Sequence, residues 1–313
     1  MLELAIAGGG PAGLTAGLYA ARGGIKEVVL FEFGMTGGQI TQSSEIENYP
    51  GQLEVIGGLE LMQNWFPQAQ KFGLKLESEE IVRVSKNADG SFRLTTRSAK
   101  TIDAKAVVFA TGSVPKKADF EGENEYFGRG VSVCATCDGF FYKNKEVVVI
   151  GGGDAALEEA LYLAQICKKV YLIHRRDSFR AAPPTIERLK TAPNLEPILN
   201  AKVVRAIGDA KEGINGVIVS IAGKGETTLN ATGVFVFVGR EVKNEALKDE
   251  KGGFICAVNE KGEIAVDLKM QTSVKGLFAA GDVRADSPKQ VVCAASDGAI
   301  AALSAIAYLD KKG

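Results

Sequence analysis

The chain has 313 residues, of which 46% are hydrophobic and 24% charged, an ordinary globular composition long enough for two domains. Thirty-seven basic side chains against thirty-eight acidic ones leave a net charge of −1, so the chain carries no electrostatic footprint for nucleic acid or anionic lipid. Cys134, Cys137, Cys167, Cys256 and Cys293 are an odd number of cysteines, which argues against a framework of stapling disulfides.

LELAIA at 2–7 predicts a strand that runs directly into a glycine turn, with no basic leader or cleavable apolar segment, and a cytoplasmic location is expected. The segment GGGPAGLTAGLYAARGGIKEVVLFE at 8–32 continues as turn, helix and second strand. Gly8 permits the tight bend, Gly10 lets backbone approach a pyrophosphate, and Gly13 lets helix pack on strand. Pro11 and Ala12 complete the turn, whose N–H groups face a ligand's negative charge. Glu32 ends the second strand about 20 residues past the turn, where a carboxylate accepts hydrogen bonds from a ribose diol; this suits FAD or NAD(H). VVFATGSVP at 107–115 is a returning strand that delivers Ala110, Thr111 and Gly112 to the same end.

VCATCDGFF at 133–141 sets two cysteines three positions apart. Half of a zinc site, a structural disulfide and a working redox pair are the three readings. Zinc is disfavoured, because the other cysteines are scattered and the single histidine, His174, lies in a basic cluster; no metal is expected. Cys167, Cys256 and Cys293 read as small buried apolar residues. Asp138 follows Cys137 directly and is a candidate acid for thiol release, with a plain Asp-Gly turn as the alternative.

A second copy of the glycine unit, GGGDAALEEALYLAQICKKVYLIHRR, starts at Gly151, offset by 143 residues from the first. Gly151, Gly153 and Ala156 fill its fingerprint, with Asp154 and Ala155 opening the helix. Its second strand ends in HRRDSFR, where His174 meets the nucleotide end and Arg175, Arg176 and Arg180 suit a ribose 2′-phosphate, hence NADPH. A solvated basic face is the bland alternative. VFVFVGREV (234–242) and LFAAGDV (277–283) are further returning strands. Gly281 and Asp282 follow the latter, with Asp282 either binding a ribityl or ribose hydroxyl or serving as a turn residue. AIAALSAIAYL at 299–309 reads as a buried helix, short of the roughly 20 residues of a membrane span.

The fold class expected is α/β, with two Rossmann-like dinucleotide-binding domains, the second inserted into the first. An FAD domain covers 1–115 and 245–313, and an NADPH domain carrying the cysteine pair covers 116–244. NADPH delivers a hydride, whereas a disulfide takes up two electrons and releases thiolates, and a flavin can do both chemistries. Two dinucleotide sites beside a C-x-x-C pair therefore specify a disulfide reductase. Because the pair rides with the NADPH fingerprint, a domain swivel is expected to alternate the flavin's partners.

CATCDGFF, GGGDAALEEALYL, HRRDSFRA, AAGDV, GGGPAG and GGQI together resemble the low-molecular-weight bacterial thioredoxin reductases essentially from end to end. The resemblance implies a homodimer with FAD and NADPH and with thioredoxin as protein substrate. It implies that Cys137 faces the flavin, Cys134 exchanges with thioredoxin and Asp138 is the acid. It also implies that Gly38, Gln39, Asn48, Thr111, Asp282, Lys289, Gln290 and the adjoining Val291 meet FAD, while Arg175, Arg176 and Arg180 meet the 2′-phosphate. Three features depart from the family pattern: Lys289 where arginine is frequent, paired prolines after the arginine cluster, and Cys293 in the helix expected to meet the flavin.

Glutathione-reductase-type enzymes are excluded by the cysteine spacing and by the lack of a C-terminal histidine. Alkyl-hydroperoxide-reductase flavoproteins carry an extra N-terminal region, ferredoxin and flavodoxin reductases of this shape lack the pair, and oxygen-using dithiol oxidases are expected to lose the arginines. A non-catalytic redox-sensing flavoprotein is the reading from another class, separable by a lack of multiple turnover.

Overall fold

The structure, a computed structural model, describes residues 1–43, 45–209 and 212–310. The chain divides into two compact units, Met1–Val114 with Val242–Gly313, and Pro115–Glu241. The divisions fall one residue and three residues before the boundaries expected from the sequence, at 114/115 and 241/242.

In the first unit β1 (Leu2–Ala7) leads through the glycine turn to α1 (Pro11–Arg22) and β2 (Val28–Phe31). Short helices α2 (Gly58–Met62) and α3 (Trp65–Gln70) precede β3 (Lys75–Glu77), β4 (Ile81–Lys86), β5 (Phe92–Thr96) and β6 (Thr101–Phe109). The chain then crosses through β7 (Ser113–Pro115). In the second unit β8 (Val131–Ser132) is followed by a single helical turn, α4 (Ala135–Asp138), and then by β9 (Glu146–Gly151), α5 (Asp154–Ala164) and β10 (Lys169–Ile173). Next come α6 (Pro183–Arg188) and β11 (Leu195–Ile198), and then β12 (Ala201–Asp209), β13 (Gly213–Ile221), β14 (Gly225–Leu229) and β15 (Gly233–Phe237). The return passes through β16 (Arg240–Val242) to β17 (Leu277–Ala279) and α7 (Val291–Asp310).

The first sheet runs β3-β2-β1-β6-β5-β4, with β17 also pairing β6. β1, β2, β3, β6 and β17 are mutually parallel where they pair, and β4-β5-β6 are antiparallel. Sequence explains the split. Leu4, Ala5, Ile6 and Ala7 are all buried, as a parallel strand covered on both faces requires, whereas β5 alternates buried Phe92 and Leu94 with outward Arg93. The second unit repeats the parallel arrangement in β11-β10-β9-β15-β8 and adds an antiparallel sheet, β12-β13-β14. Leu157, Leu163, Leu172 and Phe235 are fully buried in its core, each contributing about 1.5–3 kcal/mol of burial.

α7 reaches 20 residues, longer than the apolar stretch seen in the sequence. It is the one helix among the described residues long and apolar enough to cross a membrane by length and composition alone. One face, Ala294, Ala301, Ala302 and Ala305, is buried, and the helix packs on α1 in the first unit's core.

Candidate functional site

At the first turn the neighbours leave almost no room for side chains at Gly8, Gly9 and Gly13. A Cβ on Gly13 would lie 1.8 Å from the Gly8 carbonyl oxygen, and Gly8 itself has φ +104° with the Ala110 carbonyl 2.5 Å from where its Cβ would be. α1 begins at Pro11, a residue with no N–H to leave unpaired, and Gly10 supplies no side-chain cap. The first N–H groups of α1 thus meet no capping side chain. Glu32 closes the turn from the strand end: its Oε2 accepts from Gly9 N at 2.8 Å and its Oε1 from Gly34 N at 3.0 Å.

Parallel register brings other expected residues to the same edge. Ala7 pairs with Phe109, and Phe109 with Ala279, so Ala110, Thr111, Gly112, Gly281 and Asp282 all follow the carboxyl ends of adjacent strands. That edge is where α/β sheets bind ligands. Gly37 N donates to Gly9 O at 2.8 Å, drawing the Gly38 and Gln39 loop onto the turn. The Thr111 hydroxyl donates to Lys243 O, Ser287 donates to Asp282 at 3.2 Å, and Asn48 donates to Gln290 at 3.2 Å. Lys289 Nζ lies 3.4 Å from buried Glu263 Oε1, and Val291 opens α7.

Two residues that sequence reasoning missed hold this edge. Arg284 makes a bidentate pair with buried Asp297, at 2.7 and 3.0 Å, and Asp297 Oδ2 also accepts from Gly281 N at 3.1 Å. The hydrogen bonds to Asp297 push the Arg284 guanidinium above its usual range. The charged pair therefore fixes the loop that carries Asp282.

The second turn is finished by aromatic contact rather than by a carboxylate. A Cβ on Gly152 would fall 2.1 Å from the His174 ring, so this middle glycine, absent from the expected set, is as necessary as Gly151, whereas a Cβ on Gly153 would face open space. His174 is 6% exposed, stacks on Phe179 at 5.4 Å, and its Nε2 has no hydrogen-bond partner. Burial lowers its pKa, keeping the ring neutral. Arg175, Arg176 and Arg180 are exposed, and none forms an ion pair among the described residues. Arg180 N donates to Gly152 O at 2.7 Å, which ties the arginine loop to the turn. Asp154, beside Ala155 in the first turn of α5, accepts from Ala182 N at 2.8 Å and Thr185 Oγ1 at 3.3 Å, anchoring the helix that begins at Pro183.

Cys134 and Cys137 form a disulfide, with Cα atoms 5.3 Å apart. Both are half-buried at the start of α4, where Cys137 N donates to Cys134 Sγ at 3.2 Å. Asp138 ends α4, and its Oδ2 accepts from the Ser132 hydroxyl at 2.6 Å. Glu159 on α5 reaches the same turn and accepts from the Ala135 N–H, while its Oε2 is buried with no partner. Burial, then neighbouring Glu158, raises the Glu159 pKa against the opposing pull of that N–H. Cys167 and Cys256 are buried thiols pushed up to about 11, unsuited to exchange, and Cys293 is half-buried.

Two turns shaped for dinucleotides, with a disulfide in the unit that carries the second, agree with comparison to known proteins. Residues 2–298 match the family described as pyridine nucleotide-disulphide oxidoreductase. The chain belongs to that family. A Helicobacter pylori protein named thioredoxin reductase is 57% identical over 99% of both chains, and one from Peptoclostridium acidaminophilum is 40% identical over 98% of this chain and 97% of its own. The solved thioredoxin reductase of Streptococcus pyogenes superposes with a TM-score of 0.92 at 35% identity, covering 99% of each chain. The pyridine nucleotide-disulphide oxidoreductase family implies a flavin and a nicotinamide, and the residues present fit both. The open space at Gly10, where a Cβ would meet nothing nearer than the Gly38 Cα at 3.8 Å, suits close approach of a pyrophosphate, and the exposed guanidinium groups of Arg175, Arg176 and Arg180 suit a phosphate on the other nucleotide.

Proposed function

We propose that the chain is an NADPH-dependent, FAD-containing thioredoxin-disulfide reductase. The observation that carries this reading is the half-buried Cys134–Cys137 disulfide, set beside the Ser132–Asp138 hydrogen bond in the unit that holds the arginine-lined glycine turn. The first unit would hold FAD through Gly8, Gly10, Gly13, Glu32, Asp282 and the loop at Lys289 and Gln290. The second would hold NADPH through Gly151, Gly153 and the three arginines.

Bound flavin would supply the step between hydride chemistry and sulfur chemistry. Two electrons then open the Cys134–Cys137 bond, leaving two sulfurs and one proton to place. Asp138, the residue after Cys137, is assigned to hand that proton to one sulfur as it leaves. The Cys137 N–H aimed at Cys134 Sγ favours the thiolate there, so Cys134 is the sulfur assigned to attack the substrate disulfide. A mixed disulfide forms between Cys134 and the substrate, and Cys137 resolves it, which restores the internal bond and releases the substrate as a dithiol. The two chain crossings serve as the hinge for a swivel between half-reactions. A homodimer and a cytoplasmic location complete the reading, supported by the resemblance to bacterial thioredoxin reductases.

The purified protein should be yellow, bleach with NADPH, and then reduce many equivalents of thioredoxin. Cys134→Ser should reduce thioredoxin only at the background rate while still passing electrons from NADPH to an artificial acceptor. Bleaching without multiple turnover would replace the reductase by a redox sensor.

A further inference from the structure

Ser132 stands outside every motif in the sequence, yet its hydroxyl is the hub of the cysteine turn. It ends β8, registered against Phe235 of β15, and is only 5% exposed. Its Oγ accepts from Cys134 N at 3.1 Å and lies 2.6 Å from Asp138 Oδ2 and 3.3 Å from Cys134 O. A hydroxyl has one hydrogen and two lone pairs, so that hydrogen serves one of the two oxygens at a time. When Asp138 is ionised, the short charge-assisted bond to its carboxylate takes it. When Asp138 is protonated, the acid can donate into Ser132 Oγ and the hydroxyl hydrogen can turn to Cys134 O. Either state leaves the carboxyl bonded in the same place.

We infer that Ser132 is a positioning residue for the reduction step, holding the Asp138 carboxyl in a fixed frame with the Cys134 backbone through both of its protonation states. The inference rests on the proposed reading of Cys134 and Cys137 as the working pair. A serine that merely tied off a strand end would hold the turn but would leave the titration of Asp138 alone.

The discriminating measurement is the pH profile of thioredoxin reduction for the FAD- and NADPH-loaded enzyme carrying Ser132→Ala, Asp138→Asn, or both. Loss of the hydroxyl donor disfavours the carboxylate anion, so Asp138 in Ser132→Ala titrates at higher pH. Because the acid acts while protonated, the alkaline fall of the rate moves to higher pH, and the peak rate drops roughly tenfold through misplacement. On the elements packed against α4, the titratable groups are Asp154, Glu158, Glu159 and Tyr162 on α5 and Tyr142 in the following turn, whose ring lies edge-on to Phe235 at 5.2 Å. Glu159→Gln therefore serves as the control for a shift arising on α5. In the Asp138→Asn background, Ser132→Ala should add little, since the two act as one unit.

An unchanged pH profile, or losses that multiply in the double variant, would overturn the inference. So would an equal loss of NADPH-driven reduction of an artificial acceptor, which bypasses the cysteines and would mark a folding defect. Failure of the wild-type protein to turn over thioredoxin would instead strike the proposed function and would be seen before any variant is compared.

Discussion

A Cβ at Gly13 would sit 1.8 Å from the carbonyl of Gly8, while at the aligned position of the second turn Ala156 carries a methyl beside Gly151. In both turns the middle glycine is pressed by the side chain that closes the strand: Glu32 lies 2.9 Å from a Cβ on Gly9, and His174 lies 2.1 Å from one on Gly152. The backbone solution is thus shared, and the chemistry diverges at one register position, where Glu32 aligns with Arg175. A carboxylate there bonds its own turn and can offer acceptors to a diol. An exposed guanidinium there, with Arg176 and Arg180 beside it, offers donors to a phosphate. The repeat therefore teaches that the turn selects for a dinucleotide, and the strand end selects which one.

The sharpest way to break this contrast is on the basic side. Arg175→Ala with Arg176→Ala should lower kcat/KM for NADPH by more than about a hundredfold, the loss expected for removal of charge-assisted hydrogen bonds worth roughly 1.5–3 kcal/mol each. NADH should be nearly indifferent. Steady-state rates with both coenzymes measure it, and equal losses would show that the arginines shape the loop rather than grip a phosphate.

The acidic side should give a smaller effect. Glu32→Gln keeps one acceptor for Gly9 or Gly34 but removes the charge, and the affinity of the apoprotein for FAD should fall roughly tenfold, or about 1.4 kcal/mol. Titration of the apoprotein with FAD provides the number. A Glu32→Gln variant that binds FAD as tightly as the wild type would confine Glu32 to holding its own turn.

What the sequence could disclose follows from how local each cause is. Both glycine turns are legible because strand, turn and helix follow one another directly in the sequence, although Ala110, Glu32 and His174, which press on Gly8, Gly9 and Gly152, come from farther along the chain. Parallel strands are legible as unbroken apolar runs such as LELAIA and VVVI. Arg284 and Asp297 are not, because Asp297 lies within an apolar helix and its partner stands just past AAGDV, 13 residues earlier; only folding brings the pair together at 2.7 Å. Ser132 escapes notice since one serine two residues before a cysteine has no pattern to distinguish it. Gly152 could have been found as the counterpart of Gly9 in the repeat, although the alignment of Glu32 with Arg175 does not point to His174 as the group that presses it.

Aligning the repeats exposes one more asymmetry, and it yields the smallest of the expected effects. Fully buried Ala16 on α1 corresponds to Glu159 on α5, a carboxyl whose Oε2 is buried without a partner where α5 packs on the cysteine turn. Burial is the main reason its pKa is raised, with Glu158 adding to it and the Ala135 N–H opposing. A carboxyl raised in the folded state binds more protons there than in the unfolded chain, so its contribution to stability is present at low pH and is lost as pH rises through the folded value. The amide introduced by Glu159→Gln cannot ionise and keeps an acceptor for the Ala135 N–H. Thermal melts of the disulfide form should accordingly show the wild type losing ground to Glu159→Gln by on the order of 2 °C as pH is raised from the acid range to neutrality. Parallel curves would mean that Glu159 titrates as it does in the unfolded chain, and that the second helix departs from the first in shape alone.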